Sequence, residues 1–166
     1  SMRIWSAASS TGEEAYSLAM TLAEELADRP WRIFASDLST RVLDDARTGI
    51  YPKQRADEIP RELAQRYVLE GYDENHGLYR IDTALRKRVT FDQVNLMEPL
   101  PALEPFDMIF LRNVLIYFDN AGKRKIVESV ARKLKPGGLL FIGHSETLSG
   151  ITDVLKPQVP TVYRLP

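Results

Sequence analysis

The 166-residue chain has no cysteine, which excludes disulfides and thiolate-held metals and suits a cytoplasmic home. It also lacks a charge surplus: at a net charge of −1, no global field draws it to nucleic acid or to an anionic membrane. No apolar run approaches the ~20 residues that a membrane span needs, and no leader sequence is visible, so neither membrane insertion nor secretion is expected. Ser1-Met2 reads as an expression remnant, and a chain that opens on its first strand is expected to have had natural sequence upstream. Internal repeats and low-complexity tracts are absent as well. With 44% hydrophobic residues, enough remains for one well-cored domain spanning residues 1–166.

The stretch Arg3–Ser17 organises the rest. Arg3–Ala7 reads as a buried strand and Ala8–Gly12 as a loop of small residues that lets a ligand approach the backbone. Ser10 or Thr11 is expected to cap a helix opened by Glu13. A strand, a small-residue loop and a helix N-terminus form the usual cofactor site of α/β nucleotide-type folds. Here the loop has one glycine rather than three, so an ordinary βα turn fits the same residues.

Leu18, Leu22 and Leu26 at four-residue spacing predict an amphipathic helix over 15–28. Trp31–Ser36 reads as a second strand ending at Asp37, and Thr40–Arg47 as a short helix stopped by Gly49. The segment from about 50 to 88 breaks this rhythm. It carries a helix at Pro60–Tyr67, a turn-rich stretch at Gly71–Gly77, and apparent strands at Leu78–Ile81 and Leu85–Val89. It is too long for an ordinary connection and reads as an inserted subdomain with a small antiparallel sheet. Strands at Val89–Val94 and Phe106–Leu111 then resume the alternation. A helix over Asn120–Lys135 and strands at Leu139–Ile142 and Val159–Arg164 complete it. The fold class is α/β, a Rossmann-like three-layer sandwich on a parallel sheet.

Four strand ends carry matching polar residues: Gly12 and Glu13 after the first, Asp37 after the second, Asn95 after the third, and Arg112-Asn113 after the fourth. Ligands of open parallel sheets bind beyond these ends. The two oxygens of Asp37 suit a ribose diol, and the amide of Asn95 suits an adenine edge. Individually, each residue reads equally as a solvated loop polar or a cap; the convergence of four argues for a site.

Trp5–Ser17, Phe34–Asp37, Arg112–Phe118, Leu134–Gly138 and Gly143–Glu146 resemble, in the same order, the motifs of the chemotaxis receptor methyltransferases, the CheR family. The resemblance implies a class I methyltransferase fold and a protein-glutamate O-methyltransferase that uses S-adenosylmethionine, yields S-adenosylhomocysteine and needs no metal. By motif, Glu13 or its neighbour Glu14 would hold the methionine end beside Gly12, and Asp37 the ribose. Asn95 and Leu96 would meet the adenine. Arg112 and Asn113 would lie between cofactor and substrate, and Tyr117 would point at the reacting carboxylate. The implied partner is the cytoplasmic domain of a chemoreceptor or a similar signalling protein. The segment at 50–88 matches the family's β-subdomain, which in some members docks a receptor tail.

A glutamate carboxylate, with an unperturbed pKa of ~4.3, is already a nucleophile at pH 7, so no general base is required and His144 is given no catalytic role. Tyr117 also reads as a core aromatic beside Phe118, and Arg86–Arg88 as a solvated run. The chain departs from the family at Ser9 and Ala15, where a frequent cysteine and a proline are replaced, and at Leu111. The family's helical N-terminal domain has no counterpart here, from which weakened cofactor retention is expected. Two other functions fit the same residues: a non-catalytic module that binds the cofactor, and a class I methyltransferase with a different carboxylate acceptor.

Overall fold

The computed structural model describes residues 1–166. In chain order, β1 (Met2–Ser6) leads to α1 (Glu13–Leu26), β2 (Trp31–Asp37) and α2 (Thr40–Thr48). Next come β3 (Ile50–Pro52), α3 (Lys53–Ala56), α4 (Arg61–Tyr67), β4 (Val68–Glu70), β5 (Leu78–Ile81) and α5 (Thr83–Arg86). The chain closes with β6 (Val89–Gln93), β7 (Phe106–Leu111), α6 (Asn120–Ala131), β8 (Leu134–Ile142), β9 (Lys156–Val159) and β10 (Val162–Arg164). No helix is long and apolar enough to cross a membrane.

The main sheet has the order β6-β2-β1-β7-β8-β10-β9. Neighbours among the first five run parallel, and β10 pairs antiparallel with both β8 and β9. The chain builds outward from β1 to β2 and β6, then returns to β7 on the other flank. The connection reverses between β1 and β7, where a parallel sheet opens a crevice. Strand alternation sorts the core onto two faces. Ile4, Ile33 and Ala35 pack with Ala15, Ala19 and Met20 of α1 and Leu43 and Ala46 of α2. Trp5, Ile109, Leu111 and Leu140 pack with Ile126, Val127 and Val130 of α6. The result is the three-layer sandwich expected. Residues 50–81 add a three-stranded antiparallel sheet of order β3-β5-β4.

Several local expectations are corrected. Neither Ser10 nor Thr11 caps α1. Gly12 takes the N-cap position in the left-handed region at φ +98°, without any side-chain cap. A Cβ there would lie 2.9 Å from Tyr51 Oη and 3.0 Å from the Ala46 Cβ, so both conformation and space demand glycine. The helix expected to reach Lys135 stops at Ala131. Leu134 instead pairs with Phe106 in β8, and Leu139 with Met108 after a register shift. Pro136 disfavours helical backbone at Lys135, whose Nζ bonds Asp107 at 3.0 Å. Leu85 is not in a strand; it anchors the single turn α5 and is buried. The closing segment is a hairpin, β9 and β10, turned through Pro160 and a left-handed Thr161. The run Arg86–Arg88 is only partly solvated: Arg88 lies 4.7 Å from the Trp31 ring centroid, and Arg86 Nε donates to the Ile81 carbonyl.

Candidate active site

A cleft of about 540 Å³ opens beyond the carboxyl ends of β1, β2, β6 and β7. That volume lies within the range of small-molecule sites. Glu13, Glu14, Asp37, Asn95, Leu96, Arg112, Asn113 and Tyr117 all line it. Gly12 does not: it lies buried behind the loop, against Tyr51, Ala46 and Tyr16. Its contribution is to let the chain turn from loop into helix.

The loop after β1 is held from below and from the side. Ser36, fully buried at the end of β2, accepts a hydrogen bond from Trp5 Nε1 at 2.8 Å and donates to the Ala7 carbonyl at 3.0 Å. The Ser9 amide donates to the Ser36 carbonyl at 2.8 Å. Next along, the Ser10 amide donates to Asp37 Oδ2 at 2.9 Å, and the Ser39 amide donates to Oδ1 at 3.1 Å. The Asp37 carboxylate is therefore fixed in orientation and retains lone pairs for a ligand. The Ser9 hydroxyl, also in this loop, is buried without a partner in the protein.

Adjacent residues on a helix point about 100° apart, and this separates Glu13 from Glu14. Glu14 faces the cleft, accepts from Ser6 Oγ at 2.8 Å and stands 3.6 Å from Arg112 Nη1. Burial raises its pKa above the ordinary value, and neither the Ser6 hydrogen bond nor the Arg112 charge fully offsets that. Glu13 turns toward residues 50–81, where Arg55 Nη1 pairs with it at 3.0 Å and also reaches Thr11 Oγ1 at 3.2 Å. Tyr51 Oη donates to the Thr11 carbonyl at 2.6 Å. Burial pushes the Tyr51 hydroxyl well above its usual pKa, and that of Tyr16, which donates to the Ala46 carbonyl, up to about 12.

On the far side, Asn95 Oδ1 accepts the Met97 amide at 3.0 Å, which leaves the NH2 of Asn95 as the group that can donate to a ligand. Arg112–Tyr117 leaves β7 and closes into a single 3₁₀ turn at Leu115–Tyr117. Leu115 is buried, whereas Tyr117 is 79% exposed, so the aromatic is a rim residue and not a core one. Leu38 at 59% and Ile116 at 51% are also exposed, Leu38 in the cleft lining and Ile116 beside Tyr117. Tyr51 and Arg55 escaped the sequence reading because each acts across the fold, with no local motif to mark it; Ser6 lies inside the Trp5–Ser17 motif, and its bond to Glu14 spans eight residues. His144 is exposed and lies outside the cleft lining.

Comparison with known proteins assigns this arrangement to a family. The family model described as CheR methyltransferase, SAM binding domain, matches residues 1–163. The chain belongs to this family. Its cofactor is S-adenosylmethionine. The chain is 45% identical over 168 residues to the chemotaxis protein methyltransferase of Salmonella typhimurium, covering 98% of this chain and 58% of that protein. The Escherichia coli protein of the same name is 44% identical over 166 residues, with the same coverage. The CheR chain thus spans about three fifths of the length of these relatives. Among solved structures, the glycopeptide N-methyltransferase MtfA shares its fold. The complex with S-adenosylmethionine has a TM-score of 0.55 at 20% identity, covering 99% of this chain and 58% of that one. The sinefungin complex has a TM-score of 0.56 at 20% identity, covering 100% and 53%.

Proposed function

We propose that this CheR chain is the catalytic part of a protein-glutamate O-methyltransferase that acts in the cytoplasm on glutamate side chains of chemoreceptors. The observation that carries the reading is the convergence of Glu14, Asp37, Asn95 and Arg112, from four separate segments, on one cleft. These residues fit the cofactor group by group. The Glu14 carboxylate and the Arg112 guanidinium together complement an amino-acid zwitterion, which is the methionine end. The buried, unpartnered Ser9 hydroxyl stands in the same loop as a further polar group. Asp37 suits the ribose diol, and the NH2 of Asn95, beside the apolar Leu96, suits an adenine edge. We assign Glu14, rather than Glu13, to the methionine end, because Glu13 is occupied by Arg55.

When bound, S-adenosylmethionine supplies an electrophilic methyl group. The protein's own residues must position the acceptor and keep water away. The acceptor carboxylate is ionised at neutral pH and needs no base. Arg112 supplies a cation and Tyr117 a hydroxyl donor to orient it, and correct placement alone is worth up to about 7–11 kcal/mol of barrier. The exposed Leu38 and Tyr117 side chains, both in the cleft lining, offer apolar surface against which a protein acceptor can seat. Asn113 lines the cleft between cofactor and acceptor.

The test is methyl transfer from a methyl-labelled donor to a chemoreceptor cytoplasmic fragment. Glutamate esters release their label as methanol in base. Base-labile incorporation that depends on this chain supports the reading. Binding of S-adenosylhomocysteine without any incorporation would favour a cofactor-binding module instead.

A further inference from the structure

Glu146 belongs to the loop after β8, outside the cleft lining, yet its carboxylate is committed to the neighbouring loop. Its Oε1 accepts the Asn113 amide at 2.8 Å and the Gly143 amide at 2.7 Å, and its Oε2 accepts the Ile116 amide at 3.3 Å. Asn113 and Ile116 lie on the segment that runs from Arg112 to Tyr117. That segment lacks a cap of its own: Val114, at the start of the turn Leu115–Tyr117, supplies no side-chain hydrogen bond. It also carries a cost, since Asn113 sits in the left-handed region at φ +60°. A carboxyl group accepting from two of its amides is the kind of contact that holds such a conformation.

The approach of the two loops is unusually close. A Cβ on Gly143 would lie 2.5 Å from Asn113 Oδ1 and 2.7 Å from Glu146 Oε1. Glycine at this position is therefore what allows the carboxylate to reach all three amides. The pairing Gly143–Glu146 on one loop and Arg112–Tyr117 on the other is a single unit, although the two segments are 30 residues apart.

We propose that Glu146 is a positioning residue. Its carboxylate sets the backbone of the loop that presents Arg112 and Asn113 to the cofactor and Tyr117 to the acceptor. This rests on the roles given to Arg112, Asn113 and Tyr117 above. Without Glu146, Asn113 relaxes out of the left-handed region, and the residues on either side of it lose their common frame. Gln in its place retains one acceptor oxygen for Asn113 and Gly143 but turns an NH2 toward Ile116, which cannot accept.

Amide hydrogen exchange followed by NMR, combined with titration by S-adenosylhomocysteine, tests this on the intact chain. In Glu146→Ala the amides of Asn113, Gly143 and Ile116 should lose protection tenfold or more while the β1 and β2 amides keep theirs. Affinity for S-adenosylhomocysteine should fall at least threefold. Glu146→Gln should expose Ile116 alone and recover most of the affinity; it also serves if the alanine variant does not fold. Unchanged protection in both variants, or lost protection with unchanged affinity, overturns the proposal. Failure of the wild-type chain to bind S-adenosylhomocysteine would instead count against the cofactor assignment, since the exchange pattern reports on Glu146 without any ligand.

Discussion

Glu14 Oε2 faces Arg112 Nη1 at 3.6 Å across the candidate cofactor cleft, and the Glu14 carboxyl titrates above its ordinary range because burial outweighs both Ser6 and Arg112. A raised carboxyl pKa means that the folded state takes up a proton more readily than the unfolded chain. Ionised Glu14 therefore costs stability at neutral pH, and that cost disappears as the pH falls below the unfolded value. A cationic amino group placed beside it favours the ionised form, so cofactor binding at acid pH must expel a proton. The affinity for S-adenosylhomocysteine, measured by calorimetry, should decline with acidification, beginning above the ordinary carboxylate range. Glu14→Gln should flatten that dependence. At neutral pH it should bind at least tenfold more weakly, as expected for a lost charge-assisted bond worth roughly 1.5–3 kcal/mol, without losing thermal stability.

Glu13 should behave differently from its neighbour. Its partner is Arg55, and the two side chains are about half exposed, at 48% and 52%. Exposed pairs contribute about 0–1 kcal/mol, so Arg55→Ala and Glu13→Gln should each shift the urea midpoint little. Arg55 nevertheless ties Thr11, in the loop between β1 and α1, to the segment carrying the small sheet. Arg55→Ala should loosen that loop and weaken S-adenosylhomocysteine binding a few-fold, while Glu14→Gln weakens it far more. Equal losses in the Glu13 and Glu14 variants would remove the distinction between them.

Phe106–Leu111 was legible because a nearly continuous apolar run has few places to go except a sheet buried on both faces. Asp37, Asn95 and Arg112 were legible because polar residues stood where apolar strands ended. The end of α6 was not, since Val130 and Leu134 are four residues apart and both reach the same core, one from helix and one from strand. The cap of α1 misled because Ser10 and Thr11 are good capping residues. Crowding by Tyr51 and Ala46, far along the chain, reserves the position for Gly12. Arg55 and Glu146 act through contacts 42 and 33 residues distant, and no local pattern encodes such a partner.

Tyr117 separates function from packing. At 79% exposure it contributes little buried area, and its pocket-facing neighbour Val114 and the buried Leu115 carry the packing of this segment. Tyr117→Phe should leave the unfolding free energy within the small range of surface substitutions, about 0.5 kcal/mol. Affinity for S-adenosylhomocysteine should also be preserved, while methyl transfer to a chemoreceptor fragment falls. A variant that transfers at the wild-type rate would exclude the hydroxyl from acceptor orientation.

Ser36 offers the sharpest test of how the core supports the site. Its hydroxyl accepts from Trp5 Nε1 and donates to the Ala7 carbonyl, and all three residues are essentially excluded from solvent. Ser36→Ala leaves a buried donor and a buried acceptor without partners, and each such group costs about 1–3 kcal/mol. The expected loss is therefore about 2 kcal/mol or more in urea denaturation, larger than a cavity of one oxygen atom explains. Both tryptophans, Trp5 and Trp31, are buried, so intrinsic fluorescence reports the transition directly. Because Ala7 begins the loop that lines the candidate cleft, the variant should also bind S-adenosylhomocysteine more weakly below its unfolding transition. Trp5→Phe removes the donor but keeps the Ser36–Ala7 bond, so it should destabilise the core while largely sparing affinity; if both variants lost affinity in proportion to stability, the bond from Ser36 to Ala7 would have no separate role in shaping the loop.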